Sequence, residues 1–178
     1  TKLSGLSLAV GVGLARALES LGAQGICLKW PNDVLLRRGD DYAKLAGILV
    51  ELSSDRKGTQ AVIGIGINLQ CPLGSLPQPA AGLDQALVVL PDRHVVLAAI
   101  LLTLADTFET FAVDGFFGLK NDWQARHAWQ GLPVQLLADE AKPMLGCCLG
   151  ADNDGALLLD TENGIQRIFS GDVSLRRL

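Results

Sequence analysis

A chain of 178 residues carries a formal charge of −4 at neutral pH, with 49% hydrophobic and 19% charged residues. That balance predicts one main buried core with room for a small second domain, and it excludes an intrinsically disordered chain. It also argues against a general nucleic-acid binder, which needs basic surface, although a nucleotide site needs only local cations.

No uninterrupted apolar run approaches the ~20 residues of a bilayer span, so no membrane partner is expected. Nor does the chain open on a signal-peptide layout. Cys27, Cys71, Cys147 and Cys148 form no C-x-x-C pair. Buried or semi-buried thiols in a reducing cytoplasm are expected, rather than a zinc site or a disulfide framework. The chain begins at Thr1 and its one methionine is Met144, which suggests a fragment of a longer chain.

Leu6, Val10, Leu14, Leu18 and Leu21 recur at helical spacing, predicting a helix capped by Ser4 or Ser7 and ended by Gly22. Gly11 and Gly13 weaken it unless something approaches closely there. Gly25 to Trp30 reads as a strand that Pro31 interrupts, with Asn32 and Asp33 suited to a turn. Val34 to Leu36 resume extended structure, Gly39-Asp40-Asp41 make a hairpin loop, and Ala43 to Leu52 form the next strand. A polar loop, Ser53 to Thr59, leads to a strand over Gln60 to Leu69. Its Gly64 and Gly66 face one side, as glycines do where a ligand or backbone comes close. Short connections make this sheet antiparallel.

Cys71 to Leu90 reads as surface loop with a short helix at Gly82 to Leu87. Pro91-Asp92 opens a long helix to about Val113, with Leu97, Ile100, Leu101, Leu104, Phe108 and Phe111 as its buried face. A second helix runs from about Gly115 to His127, and these helices are expected to cover one sheet face. From Leu132 the style changes to short strands, Pro133–Ala138, Met144–Ala151, Ala156–Asp160, Ile165–Phe169 and Val173–Leu175. Turns at Ala138-Asp139-Glu140, Asp152 to Gly155 and Glu162-Asn163-Gly164 separate them, a spacing that predicts a small barrel. The domain boundary falls near Gly131, giving 1–130 and 131–178.

Chemistry concentrates at Lys29-Trp30-Pro31-Asn32-Asp33 and at Lys44-Leu45-Ala46-Gly47-Ile48-Leu49-Val50-Glu51. A core strand has no need of a cation, an indole, an amide and a carboxylate at its end; an anionic ligand does. Lys44 either points to water or holds a phosphate or carboxylate. Asp33, on residue type alone, caps its turn. Lys29 snorkels or balances phosphate charge. Trp30 is core or ligand platform, Gly47 reads as tight packing between strand and helix, and Arg176 as a surface arginine. His94 and His127, on predicted helices without ligand partners, read as structural. No metal-ligand pattern, P-loop or nucleophile elbow is present.

Together with Gly64-Ile65-Gly66-Ile67-Asn68 and the ending Gly155 to Leu159 and Ser170 to Arg176, these motifs resemble the biotin protein ligases. The resemblance covers nearly the whole chain; the family's GRGRxG loop is not among these residues. It implies an α+β fold, a mixed or antiparallel sheet with flanking helices of the class II synthetase-like, biotin/lipoate ligase type, followed by a small SH3-like β-barrel. It implies biotin and Mg-ATP as substrates, and a carboxylase's biotin carboxyl-carrier domain as acceptor. A homodimer through the sheet edge would also fit it. Lys44 and Asp33 would be catalytic. Lys44, Gly47, Ile48 and Gly66 would meet biotin, and Lys29, Trp30, Asn32, Asn68 and Arg176 the nucleotide. A lipoate-type ligase and a non-catalytic binding remnant are the alternatives.

Overall fold

Apolar periodicity and glycine placement build the first half of the chain around one helix and four strands. The computed structural model describes residues 3–56, 58–74, 78–138, 143–169 and 173–178. Helix α1 spans Leu6–Ser20 and ends at Gly22, where the Ala23 amide donates to the Leu18 carbonyl. Its start differs from expectation. The N-cap is Gly5 in the left-handed region, a conformation that costs glycine little, and no side chain caps the helix. Ser4 and Ser7 are engaged elsewhere: Ser4 Oγ donates to the Asp154 carbonyl and Ser7 Oγ to that of Pro31.

Strands β1 (Ile26–Lys29), β2 (Asp33–Arg38), β3 (Asp41–Asp55) and β4 (Gly58–Ile67) form one antiparallel sheet in the order β1-β2-β3-β4. The polar stretch expected as a loop over 53–59 is instead a tight hairpin. Ser54 pairs with Thr59 and Asp55 with Gly58, because alternating polar side chains tolerate a strand that is wet on both faces. Helix α1 packs on one face of the sheet. A Cβ at Gly11 would meet the side chains of Leu28 and Ile48 at ordinary contact distance, so those residues point toward the helix.

Helix α2 (Arg93–Asp114) is capped by Asp92, whose carboxylate accepts from the His94 amide. It stacks on α1 rather than on the sheet, so the helices form two layers over one face. Its buried residues are Val96, Ile100, Leu104, Thr107 and Phe111, with Phe108 half-buried. Leu97 and Leu101 do not join them; they are 52% and 59% exposed. The apolar stripe was too broad to locate a seam by pattern alone. Gly13 explains the close approach: a Cβ there would lie 2.8 Å from Leu104 Cδ2 and from Thr107 Oγ1. By length and composition alone the helical run 93–126 would pass as membrane-crossing, a test that the core helices of globular proteins also pass. A 3₁₀ turn (Gly115–Leu119) and a short helix α3 (Lys120–Arg126) replace the single second helix expected, and Leu83–Gln85 is likewise a 3₁₀ turn.

The second half is a five-stranded antiparallel sheet, β5 (Pro133–Ala138), β6 (Met144–Ala151), β7 (Leu157–Thr161), β8 (Gly164–Ile168) and β9 (Val173–Arg177), in the order β8-β7-β6-β5-β9. Val134, Cys148, Leu157, Leu159 and Leu175 fill its core. Residues 139 and 140 of the expected 138–140 turn lie outside the described residues.

Candidate active site

The sheet register brings the motif residues into one row. Lys29 of β1 pairs with Asp33 of β2, Asp33 with Gly47 of β3, and Gly47 with Gly66 of β4. Directly paired residues share a face. Since Leu28 and Ile48 point to α1, alternation turns Lys29 and Gly47 to the opposite face. The row therefore runs from a buried ion pair at one edge to a bare glycine at the other. A Cβ at Gly66 would meet nothing within 4 Å.

Lys44 reaches this row through a β-bulge. Residues three apart on a regular strand face opposite sides, so Lys44 and Gly47 should diverge. The pairing shifts between Val34 and Leu35, which oppose Ala46 and Lys44 and leave Leu45 as the extra residue. The Lys44 ammonium consequently lies 3.3 Å from where a Gly47 Cβ would stand, and 2.5 Å from Asp33 Oδ1. Asp33 Oδ2 accepts from Lys29 Nζ at 3.0 Å. One buried carboxylate thus bridges two ammonium groups. Lys29 and Asp33 are almost sealed, whereas the Lys44 side chain is 32% exposed and open to a ligand.

Backbone clamps hold the bulge. Asn68 Nδ2 donates to the Ala81 carbonyl and, more weakly, to that of Lys44, while its main-chain amide donates to the Leu45 carbonyl, one step beyond the β3–β4 ladder. The Lys44 amide donates to the Pro79 carbonyl, and its own carbonyl accepts from the Ala81 amide. Asn68, expected at the nucleotide, has its amide donor committed to fixing Lys44. Asn32 Nδ2 donates to the Ile48 carbonyl at 2.8 Å, and the Ile48 amide donates to the Asn32 carbonyl at 2.9 Å, which leaves Asn32 Oδ1 for other partners.

Three expected contacts are placed differently. Trp30 is fully buried and its indole N–H donates to the Gly155 carbonyl, so it offers no platform for a base. Ile48 points to α1 and cannot share a slot on the Gly47 face. Lys29 neither snorkels nor waits for phosphate; its charge is spent on Asp33, under the ring of Trp129. Arg176 is exposed on β9 opposite Gln135, and its side chain makes no hydrogen bond or ion pair to another described residue. Trp129 and the bulge escaped sequence reading. The odd Lys44–Gly47 spacing was a signal for the bulge; nothing local pointed to Trp129.

His127 is buried just past the end of α3. It stacks on Trp123 with ring centroids 4.4 Å apart and leaves Nε2 buried without a partner. Burial pulls its imidazole from 6.5 down to about 4, a hydrogen bond donated to Gln130 opposing that in part. Between those values only the unfolded chain takes up the proton. Stability is therefore full above pH 6.5 and falls as the pH drops toward 4, by roughly 3 kcal/mol from this group. Urea denaturation across that range should show the loss, and His127→Phe, which keeps the stack, should flatten it. An identical slope in both proteins would remove His127 as its source. The neighbouring Cys148 thiol is pushed up to about 11 by burial, which makes it inert, and all four cysteines are free.

Residues 1–68 match the Biotin/lipoate A/B protein ligase family, and residues 131–176 match the Biotin protein ligase C terminal domain. The bifunctional ligase/repressor BirA of Salmonella typhimurium is 36% identical over 177 residues, covering 97% of this chain and 53% of that protein. The biotin–[acetyl-CoA-carboxylase] ligase of Paracoccus denitrificans is 35% identical over 157 residues, covering 85% and 63%. The biotin protein ligase from Aquifex aeolicus in complex with biotin and ATP superposes with a TM-score of 0.80 at 31% identity, over 99% of this chain and 72% of that one. The chain belongs to the biotin protein ligase family. It spans about half the length of the BirA relative it matches.

Proposed function

We propose that this chain carries the adenylation centre of a biotin protein ligase, and that it divides into a catalytic part, 1–130, and a small domain, 131–178. The observation that carries the proposal is the row Lys29–Asp33–Gly47–Gly66 with Lys44 beside it. A movable cation stands at the end of a floor stripped of side chains. Biotin would lie over Gly47 and Gly66, its carboxylate at Lys44.

In the first step a biotin carboxylate oxygen attacks the α-phosphorus of ATP, the bond to the bridging oxygen breaks, and pyrophosphate leaves. Lys44 stabilises the negative charge gathering between carboxylate and phosphate. Asp33 Oδ1 lies 2.5 Å from that ammonium, and a bound carboxylate or phosphate competes with it for the charge. In the second step the acceptor lysine amine attacks the acyl carbon, AMP leaves, and Asp33 takes the proton the nitrogen sheds. Both Asp33 oxygens are engaged with ammonium groups, and magnesium would accompany the triphosphate as Mg-ATP. The acceptor is a carboxylase's biotin carboxyl-carrier domain. Four free thiols suit a reducing cytoplasm, and the uncovered edge of β4 suits a homodimer.

Incubating the chain with biotin and α-labelled ATP tests this. Biotinyl-adenylate is expected; formation of the lipoyl product instead, when lipoate is offered, would overturn the substrate assignment. The open space at Gly66 favours a second reading, a binding surface without turnover, and biotin binding with no adenylate would support it. Gly66→Val supplies a control. Its added side chain meets open space, so the melting temperature is to hold while calorimetric biotin binding disappears. Unchanged binding would move biotin off this floor.

A further inference from the structure

Lys29 is held from two parts of the chain. Its side chain is 10% exposed, with Asp33 Oδ2 at 3.0 Å and the Trp129 ring centroid at 5.2 Å. The backbone around Trp129 is tied on both sides. The Ala128 amide donates to the Leu28 carbonyl at 2.8 Å, next to Lys29. Toward β6, the Gly131 amide donates to the Cys148 carbonyl and the Cys148 amide to that of Leu132. The indole itself forms no such tie: Nε1 is buried without a hydrogen-bond partner. A buried N–H left unpaired is costly, and leucine or phenylalanine would fill the space without it. What the indole offers in return is a π face to a desolvated ammonium.

We propose that Trp129 is a positioning residue for the Lys44–Asp33 pair. Its face fixes the Lys29 ammonium, Lys29 fixes Asp33 Oδ2, and Oδ1 is left aimed at Lys44. Remove the face and the ammonium is free to leave Oδ2, letting the carboxylate turn. The catalytic consequence rests on the ligase reading; the placement of Lys29 does not.

Two readouts on the 178-residue chain separate them. In amine labelling followed by mass spectrometry, with Lys120 as internal reference, Trp129→Leu should label Lys29 about tenfold faster than wild type, the cation–π and ion-pair hold being lost. In adenylate formation, kcat should fall about tenfold while the KM values for biotin and ATP stay within about twofold, the mark of lost positioning rather than lost binding. Trp129→Phe, which keeps a π face, should restore both. Should the leucine variant not fold, Trp129→Met serves as the variant without a π face. Wild-type labelling and turnover without the π face, or a phenylalanine variant no better than leucine, would overturn the proposal. If wild type forms no adenylate, the ligase reading fails and labelling alone decides: Lys29 exposed by leucine but not by phenylalanine upholds the positioning role, and equal labelling ends it.

Discussion

Lys44→Ala is expected to abolish adenylate formation, by about two to three orders of magnitude, with the fold intact. The effect on rate is large because the ammonium is the one group of the row free to meet the charge that develops between carboxylate and phosphate. The effect on stability is small because Lys44 is 32% exposed and Asp33 keeps Lys29 as a partner; a pair that wet contributes at most about 1 kcal/mol. Lys44→Arg should not rescue, since the wider guanidinium would crowd the Gly47 floor, where the lysine tip already stands at 3.3 Å. Single-turnover assays with radiolabelled ATP, run beside thermal melts, measure both quantities. Turnover by the alanine variant within a few-fold of wild type would exclude Lys44 from the chemistry.

Asp33→Asn should do the reverse to stability. Its carboxylate is the sole anion between two ammonium groups, one of them sealed from water. Removing the negative partner of a buried pair strands the positive one, at a cost of about 3 kcal/mol or more. Lys29→Met should cost less, because Asp33 keeps Lys44 at 2.5 Å. The double variant Lys29→Met with Asp33→Asn should lie well above the sum of the two, since it removes the stranded charge. Denaturant titrations of the four proteins complete this cycle, and additive losses would mean the ions do not interact. Carrier biotinylation by Asp33→Asn should fail even where adenylate is supplied, because nothing is left to take the amine's proton.

The nature of the parts was legible in the chain. Strand-breaking Pro31, the charge-free run after Lys44 and paired glycines in a strand each have a local physical cause, and the antiparallel order followed from short connections. Faces and partners were not legible. Whether Leu97 is buried depends on which side of α2 meets α1, and both sides of that helix are apolar. Whether Trp30 meets a ligand depends on Gly155, 125 residues away.

By itself the sequence determined the elements, their order and the residue types at the centre, since propensity, turn geometry and alternation act over a few residues. Only the tertiary structure decided that Lys44 faces Asp33, through a bulge paired across β2 and clamped by Asn68, and that Lys29 is buried under Trp129. Those outcomes depend on register and desolvation, which arise when distant segments pack and leave no mark on the residues nearby.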